Sequence, residues 1–427
     1  MGRMPDLHYP LHTTTLANGL RVVVNPDHAV PSAAMNIWYN VGSRHEQPGL
    51  TGFAHLFEHL MFQGSAHVGS GEHISLLQAN GASVNATTWF DRTNYFAALP
   101  IGGLELALWL EADRLESLLT ALTQENLDNQ REVVKEEKRQ RYDNVPYGDL
   151  MDTLVGLVFP ADHPYGHTTI GSMDDLNAAS LEDAHTFFRT HYMPNNAVLS
   201  LVGDLTADEG FALAEKYFGH IPAGELPPVV MPDPLPALTG LPSADVRADV
   251  PADAVYLAWR LPAMDDPAFD ATDLALMVLG DGQPSRLHRT LVRDNPLASS
   301  AGAGSIGLIG GTSLGFISAR AIEGHSIDEV TDRTLAELDR LVTDGPEEAE
   351  LDRVKAQYER AWLQGLARLD ARADQLSGTT LLRGDHEFIN RHLGEVMAID
   401  AEAVTEAARR HLNPEHRATV TYRKEQA

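Results

Sequence analysis

Two features of the sequence predict an α+β protein made of two homologous domains: strand-like segments that alternate with long amphipathic helices, and a long internal repeat. At 427 residues the chain is long for one hydrophobic core and suits two domains of about 200 residues each. Each domain is expected to form a mixed, mostly antiparallel sheet with helices packed on one side.

The strand-like and helical segments follow the same order in both halves. Residues 33–43 (AAMNIWYNVGS) alternate as a strand does, and a helical segment that includes residues 55–59 follows. In the second half, residues 254–264 (AVYLAWRLPAM) form the matching strand, and a helix from residue 271 follows after a loop. Further long amphipathic helices are predicted from residues 104, 124 and 347.

The repeat is clearest at the end of each half. FFRTHYMPNNAVLSLVGD begins at residue 187 and AARRHLNPEHRATVTYRK at residue 407, so that His191 and Pro194 align with His411 and Pro414 at a distance of 220 residues. Each copy predicts a helix end, a proline stop and a strand. Between the copies, residues 221–246 are rich in proline and predict a semi-extended linker. The predicted domains are therefore 1–222 and 247–427, joined by a linker at 223–246.

Composition excludes several classes of protein. Cysteine is absent, so disulfides and thiolate metal ligands are excluded. A net charge of −28 argues against nucleic acid or an anionic membrane as a partner. There is no apolar run long enough to span a membrane and no visible secretory signal at the N-terminus, so a cytoplasmic location is expected.

The pentapeptide HLFEH at residues 55–59 is the most informative motif. On a helix, His55 and His59 project from one face, and Glu58 lies on nearly the same face. Two imidazoles and a neighbouring carboxylate can supply two nitrogen ligands for a catalytic zinc and a base that takes a proton from bound water. In the second half, residues 274–278 contain no histidine or glutamate, so the predicted chemistry belongs to the first domain.

A catalytic zinc usually has a third protein ligand, which here must be His, Asp or Glu. The helix from residue 124 offers Glu132, Glu136 and Glu137. Glu137 follows the valines at 133–134 by one turn, so we expect it on the apolar, core-facing side, whereas the other two fit a solvent-exposed charge run. Gln130 lies two turns before Glu137 on the same side, placed to hydrogen-bond a ligand or the water.

These features resemble the pitrilysin–insulysin–mitochondrial processing peptidase family, zinc metallopeptidases with the inverted HxxEH motif and pairs of homologous α/β domains. The likeness covers nearly the whole chain. It includes HLFEH, the strand pair from residue 81, the RxVVxxE pattern that ends at Glu137, HPYG from His163, and the second copy.

The resemblance implies one zinc ion per chain on His55, His59 and Glu137, with Glu58 as the base. It also implies that Asn85 and Ala86 lie on an edge strand to which a substrate peptide adds as a further strand. For Ala86, an ordinary sheet edge is an equally good interpretation.

Two positions depart from the family pattern. Many members carry a glutamate seven residues before the third ligand, where this chain has Gln130, whose amide can still orient a water. The family's second domain often carries an arginine and, seven residues later, a tyrosine that hold the substrate. Arg293 is present, but Ser299 and Ser300 stand where the tyrosine would be.

The sequence therefore predicts a zinc metallopeptidase that cleaves short or unfolded peptides. Two alternatives stay open: a non-catalytic structural subunit, and a zinc-bound protein that binds peptides without cutting them. The resemblance implies a four-domain chamber, of which two domains form half, so we expect a dimer. Its second subunit is either a homologous partner that completes substrate binding or another copy of this chain.

Overall fold

The computed structural model describes residues 8–425. Residues 1–7 and 426–427, the outer ends of the two predicted domains, lie outside the described residues. The chain forms two compact units. One contains the residues up to Glu136 with Thr169–Val229 and Ala361–Leu393; the other contains Glu137–Thr168, Val230–Arg360 and the residues from Gly394 onward.

The first unit is built on a six-stranded sheet in the order β1-β2-β6-β3-β5-β4. Its strands are β1 (His12–Thr15), β2 (Arg21–Pro26), β3 (Ser32–Tyr39), β4 (Ser83–Thr88), β5 (Thr93–Pro100) and β6 (Ala197–Gly203). β2 and β6 pair in parallel, and the other pairs are antiparallel.

The second unit is built on a five-stranded sheet in the order β7-β11-β8-β10-β9. Its strands are β7 (Ser243–Ala248), β8 (Ala254–Pro262), β9 (Ala298–Ile306), β10 (Thr312–Ala321) and β11 (Ala418–Lys424). β7 and β11 pair in parallel, and the remaining pairs are antiparallel. The predicted class, α+β with two mostly antiparallel mixed sheets, is confirmed.

The helices follow in chain order as α1 (Phe53–Leu60), α2 (Glu72–Ala79), α3 (Leu104–Ala121), α4 (Gln124–Lys138), α5 (Leu150–Val158), α6 (Met173–Ala178), α7 (Leu181–His191), α8 (Ala207–Phe218), α9 (Pro267–Gly280), α10 (Ile327–Asp344), α11 (Glu348–Ala367), α12 (Leu369–Leu382), α13 (Phe388–Ala398) and α14 (Ala401–His411). None of the helices described between residues 8 and 425 combines the length and the apolar character needed to cross a membrane.

The strand register confirms the repeat. Trp38 of β3 pairs with Val198 of β6, and Ala258 of β8 pairs with Ala418 of β11, each 220 residues further on. β4 and β9 occupy the same edge position in their sheets. This register places residues 275–279 of α9, rather than 274–278, at the positions of HLFEH, and these residues are also apolar.

Each unit contains a helix from the other half of the chain. In the first unit, α12 packs on β3 and β6, where Ala373 and Leu376 join Val198 in a buried core. In the second unit, α5 packs on β8 and β11. The predicted boundaries therefore describe how the two repeats follow each other along the chain: 1–222, 223–246 and 247–427. As boundaries of folded domains they stay a prediction.

Candidate metal centre

Helix α1 carries the two histidines and the glutamate of HLFEH on its less buried side. Gly52, which precedes the helix, has a φ of 85°, a left-handed conformation that favours glycine. His55, Glu58 and His59 are half-buried. The opposite side of the helix is fixed in the core by Phe53, Leu56, Phe57 and Leu60. The motif therefore stands on a rigidly anchored helix.

Carboxylates from elsewhere in the chain hold the beginning of α1. Glu46 accepts hydrogen bonds from the backbone N–H groups of Gly52 (2.9 Å) and Ala54 (2.7 Å). A negative charge at this end also suits the helix dipole. In the preceding turn, Asp175 accepts a bond of 2.9 Å from the backbone N–H of Thr51. Sequence reasoning missed both carboxylates, because neither belongs to the motif and Asp175 is 124 residues from Thr51.

The last turn of α4 carries Glu137. Leu127, Gln130 and Val134 are buried along one side of α4, and Glu137 continues this side as a half-buried residue. Glu136 is exposed, as expected. The expectation for Val133 was wrong: its side chain is 43% exposed, because it lies just outside the buried arc of the helix.

The structure brings His55, His59 and Glu137 together. One ligand atom from each residue lies within 4.8 Å of the other two. The two imidazole rings have centroids 4.9 Å apart and are nearly perpendicular, at 82°. A tetrahedral zinc with bonds of about 2.1 Å needs ligand atoms about 3.4 Å apart. Arg141 lies 2.7 Å from the Glu137 carboxylate. The donor set, two imidazoles and one carboxylate, fits zinc.

Glu58 lies beside the end of β4. The hydroxyl of Thr88, the last residue of that strand, donates a hydrogen bond of 2.6 Å to the Glu58 carboxylate. Near Glu58, the hydroxyls of Tyr95 and Tyr192 are 2.9 Å apart. Burial raises the pKa of both phenols, and the charge of Glu58 adds to the increase. Both phenols therefore stay neutral.

The predicted substrate strand, β4, is an edge strand that pairs with β5 only, among the strands of residues 8–425. Asn85 is exposed, whereas the Ala86 side chain is buried against the helices that cover the strand. Side chains alternate across a strand, so these two neighbours face opposite sides.

In the structure, Arg293 forms an ion pair with the adjacent Asp294. It lies in a π-helical turn, His288–Asp294, where its guanidinium donates to Asp294 over 2.7 Å. Both groups are largely exposed. Ser299 and Ser300 are exposed residues at the start of β9. The substrate-binding role of Arg293 stays a prediction.

Comparison with known proteins shows which family the chain belongs to. Residues 21–154 match the family model "Insulinase (Peptidase family M16)", and residues 178–358 match "Peptidase M16 inactive domain". Zinc protease PqqE of Helicobacter pylori is 32% identical over 365 residues, which cover 84% of this chain and 81% of that protein. The chain belongs to the insulinase family of peptidases. HLFEH and Glu137 lie within residues 21–154, outside the match to the inactive domain.

Solved structures agree with this assignment. A protease from Helicobacter pylori has a TM-score of 0.91 with 28% identity, covering 97% of this chain and 99% of that one. The periplasmic protease PqqL of Escherichia coli shares the fold, with a TM-score of 0.78 and 20% identity, over 98% of this chain but only 48% of its own. The names of the relatives make zinc the metal of the family.

Removing the Glu46 carboxylate is expected to loosen the start of α1. Glu46→Ala leaves two backbone N–H groups without their charged acceptor, so the free energy of unfolding should fall by about 1–2 kcal/mol. Zinc affinity should fall as well, because α1 carries two of the proposed ligands. Urea denaturation and zinc titration measure the two effects, with Gln47→Ala as the neighbouring control. An unchanged unfolding midpoint for Glu46→Ala would contradict the capping role.

Stability in the first unit is expected to fall in acid, in part because of two desolvated histidines, half-buried His45 and buried His191, whose rings are 6.0 Å apart. Burial lowers the pKa of His45 from 6.5 to about 3 and that of His191 from 6.5 to about 4. Below pH 6.5 the unfolded chain binds protons that the folded chain excludes. The free energy of unfolding should therefore fall from pH 6.5 toward pH 4, by about 1.4 kcal/mol per pH unit for each histidine.

Above pH 6.5 both states are neutral at these rings, and their contribution is constant. Urea denaturation across this pH range measures the slope. His191→Asn should reduce the slope by the share of one histidine, and a slope identical to that of the wild type would contradict the assignment.

Proposed function

We propose that this chain is a zinc-dependent metallopeptidase that cleaves short or unfolded peptides, with one zinc ion per chain. The proposal rests mainly on the cluster of His55, His59 and Glu137, whose ligand atoms lie within 4.8 Å of one another. Three protein ligands that leave a fourth position open are typical of catalytic zinc rather than structural zinc. Membership of a family whose relatives are named zinc proteases supports the same reaction class.

The chain's own residues have distinct tasks in this proposal. When bound, zinc supplies a Lewis acid that polarises the scissile carbonyl and lowers the pKa of a water molecule to about 7. His55 and His59 bind as neutral imidazoles, and Glu137 compensates part of the positive charge. The Glu58 carboxylate accepts a proton from the attacking water and returns it to the leaving amine. Thr88 holds that carboxylate in place through its hydrogen bond.

We propose that the peptide adds to β4 as a further antiparallel or parallel strand, along Asn85 and Ala86. Main-chain hydrogen bonds would provide most of the binding, so the preference for side chains should be mild. The strand ends at Thr88, which contacts Glu58, and a peptide on this edge would therefore pass the base. Gln130, buried on the same side of α4 as Glu137, would orient a ligand or the water.

A non-catalytic structural or peptide-binding subunit is the second candidate function. It is favoured by the match of residues 178–358 to the inactive domain and by Ser299 and Ser300 at the place of the family's tyrosine. HLFEH together with Glu137 favours the enzyme, because a subunit that only binds has no need of a base beside three metal ligands.

We propose that the chain works as a dimer, either with a homologous subunit or with a second copy of itself. Two observations support this. The chain matches 48% of the longer Escherichia coli protease. Arg293 is present, but this chain has serines where the family's second substrate-holding residue, a tyrosine, would be. In the heterodimer, this chain would provide the metal ligands and the base, and its partner would complete substrate binding. A cytoplasmic location remains part of the proposal; the Escherichia coli relative is described as periplasmic.

The test is to incubate the purified chain with an unstructured peptide and to analyse the mixture by mass spectrometry. The chain is assayed alone and then with a homologous subunit encoded beside it, where one exists. We expect fragments whose formation stops when zinc is chelated. Full activity of the isolated chain, unchanged by the partner, would rule out complementation by a heterodimer. An intact peptide in both mixtures would rule out the peptidase.

A further inference from the structure

The second unit contains a cavity of about 850 Å³, a volume typical of ligand sites in proteins. The proline-rich segment forms one wall through Pro232, Pro234 and Pro236. The end of β8 with the beginning of α9 forms another wall, and the end of α14 closes a third side. The zinc ligands belong to other elements, so this cavity has no part in the proposed reaction.

The proline wall is fixed to the sheet. The backbone N–H of Leu235 donates to the hydroxyl of Thr312 (2.8 Å), and the guanidinium of Arg260 donates to the carbonyl of Pro236 (2.8 Å). At Gly311, with a φ of 74°, a Cβ atom would come within 2.5 Å of the Pro232 carbonyl, so the close approach requires glycine. The cavity is therefore preformed.

The repeat places a counterpart in the first unit. A smaller cavity of about 190 Å³ is lined by His45, Glu46, Thr190 and His191. The residues 220 positions later line the large cavity: Asp265, Asp266, Arg410 and His411. Basic residues replace uncharged ones at three of the related positions around the large cavity: Arg260 stands for Asn40, Arg410 for Thr190 and His416 for Asn196. The cavity of the second copy is thus larger and has more basic side chains around it, and Asp265 adds an acidic group where the first copy has His45.

Three charged side chains at the large cavity have no ion-pair partner in the described part of the chain. Arg260 donates to two backbone carbonyls, those of Val158 and Pro236, and has no carboxylate partner. For Arg410 and Asp265, the described part of the chain provides no hydrogen bond or ion pair to the side chain. Arg410 and Asp265 are both exposed at the cavity, so a positive and a negative group there are open to a ligand of complementary charge.

We propose that this cavity binds a small zwitterion with an apolar body: an apolar amino acid, or a di- or tripeptide with both ends free. The ligand's carboxylate pairs with Arg410, and its ammonium group pairs with Asp265. Its apolar side chain packs on the prolines and on Leu261 and Ile309, which are both 3% exposed. The inference does not depend on the proposed peptidase activity.

The test is calorimetric titration with leucine and with the dipeptide Leu-Leu, in the Glu58→Gln background so that no peptide is consumed. C-amidated and N-acetylated Leu-Leu remove one charge each. We expect a Kd of about 1 mM or below for leucine, Leu-Leu or both, and the comparison of the two identifies the source. Amidation, acetylation, Arg410→Thr and Asp265→Asn should each weaken binding about tenfold.

Two comparisons make the result specific to this cavity. Arg410→Thr introduces the residue of the first copy, and the variant should no longer distinguish Leu-Leu from its amide. Arg333→Thr removes an exposed arginine outside the cavity and should bind as the parent does. Thermal unfolding of each variant verifies its fold. Absence of binding to the parent at about 10 mM ligand, or binding that Arg410→Thr leaves unchanged, would overturn the proposal.

Discussion

Replacing Glu58 with glutamine is expected to abolish peptide hydrolysis while zinc remains bound. The amide has nearly the same shape as the carboxylate and can still accept the hydrogen bond from Thr88, but it cannot take a proton from water. Loss of a general base lowers kcat by about 10²–10⁴-fold. Zinc content should be unchanged, because Glu58 is not one of the three clustered ligands. Peptide cleavage and zinc content are measured on the same preparation.

The control for this substitution is Glu136→Gln, which removes one negative charge from an exposed position on the helix that carries the third ligand. It should leave both kcat and zinc content at the wild-type level. If Glu58→Gln keeps more than about a tenth of the wild-type activity, a different group is the base.

Glu137→Gln is expected to weaken zinc binding by more than about a hundredfold, whereas Glu136→Gln should not change it. Removal of groups that only support a ligand already weakens metal binding by about 10–100-fold, and loss of a direct ligand should exceed this. The two glutamates are adjacent in sequence, but only Glu137 approaches the two histidines. Zinc affinity is measured by competition with a chromogenic chelator.

This pair of variants separates geometry from charge. Both remove one carboxylate from the same turn of α4, so a general electrostatic effect would weaken zinc binding in both. Equal affinities in the two variants, whether high or low, would contradict the assignment of Glu137 as the third ligand.

The sequence was sufficient for the parts of the site that depend on local helix geometry. The spacing of HLFEH predicts that His55 and His59 share one face, and the structure places their rings 4.9 Å apart. Val133 shows where the argument fails. The buried arc of α4 is centred on Leu127, Gln130 and Val134. A pattern based on hydrophobicity favours a valine over a buried glutamine.

Most features that depend on distant parts of the chain were not visible in the sequence. The repeat is an exception, because it leaves similar residues at a fixed distance along the chain. An amphipathic helix such as α12 shows that it has an apolar face, but not that this face covers β3 and β6 of the other half. In the same way, Glu46 is an ordinary surface-type residue until the chain places it at the backbone of Gly52 and Ala54.

The most direct test of the proposed function is peptide cleavage measured as zinc is returned to the metal-free chain. A chelator removes the metal, zinc is added in steps, and product formation is followed by mass spectrometry. We predict that the stripped chain is inactive and that activity rises with added zinc until one ion is bound per chain. Cleavage by the stripped chain, or no cleavage once one zinc ion is bound, with a homologous partner present as well as without it, would contradict the account.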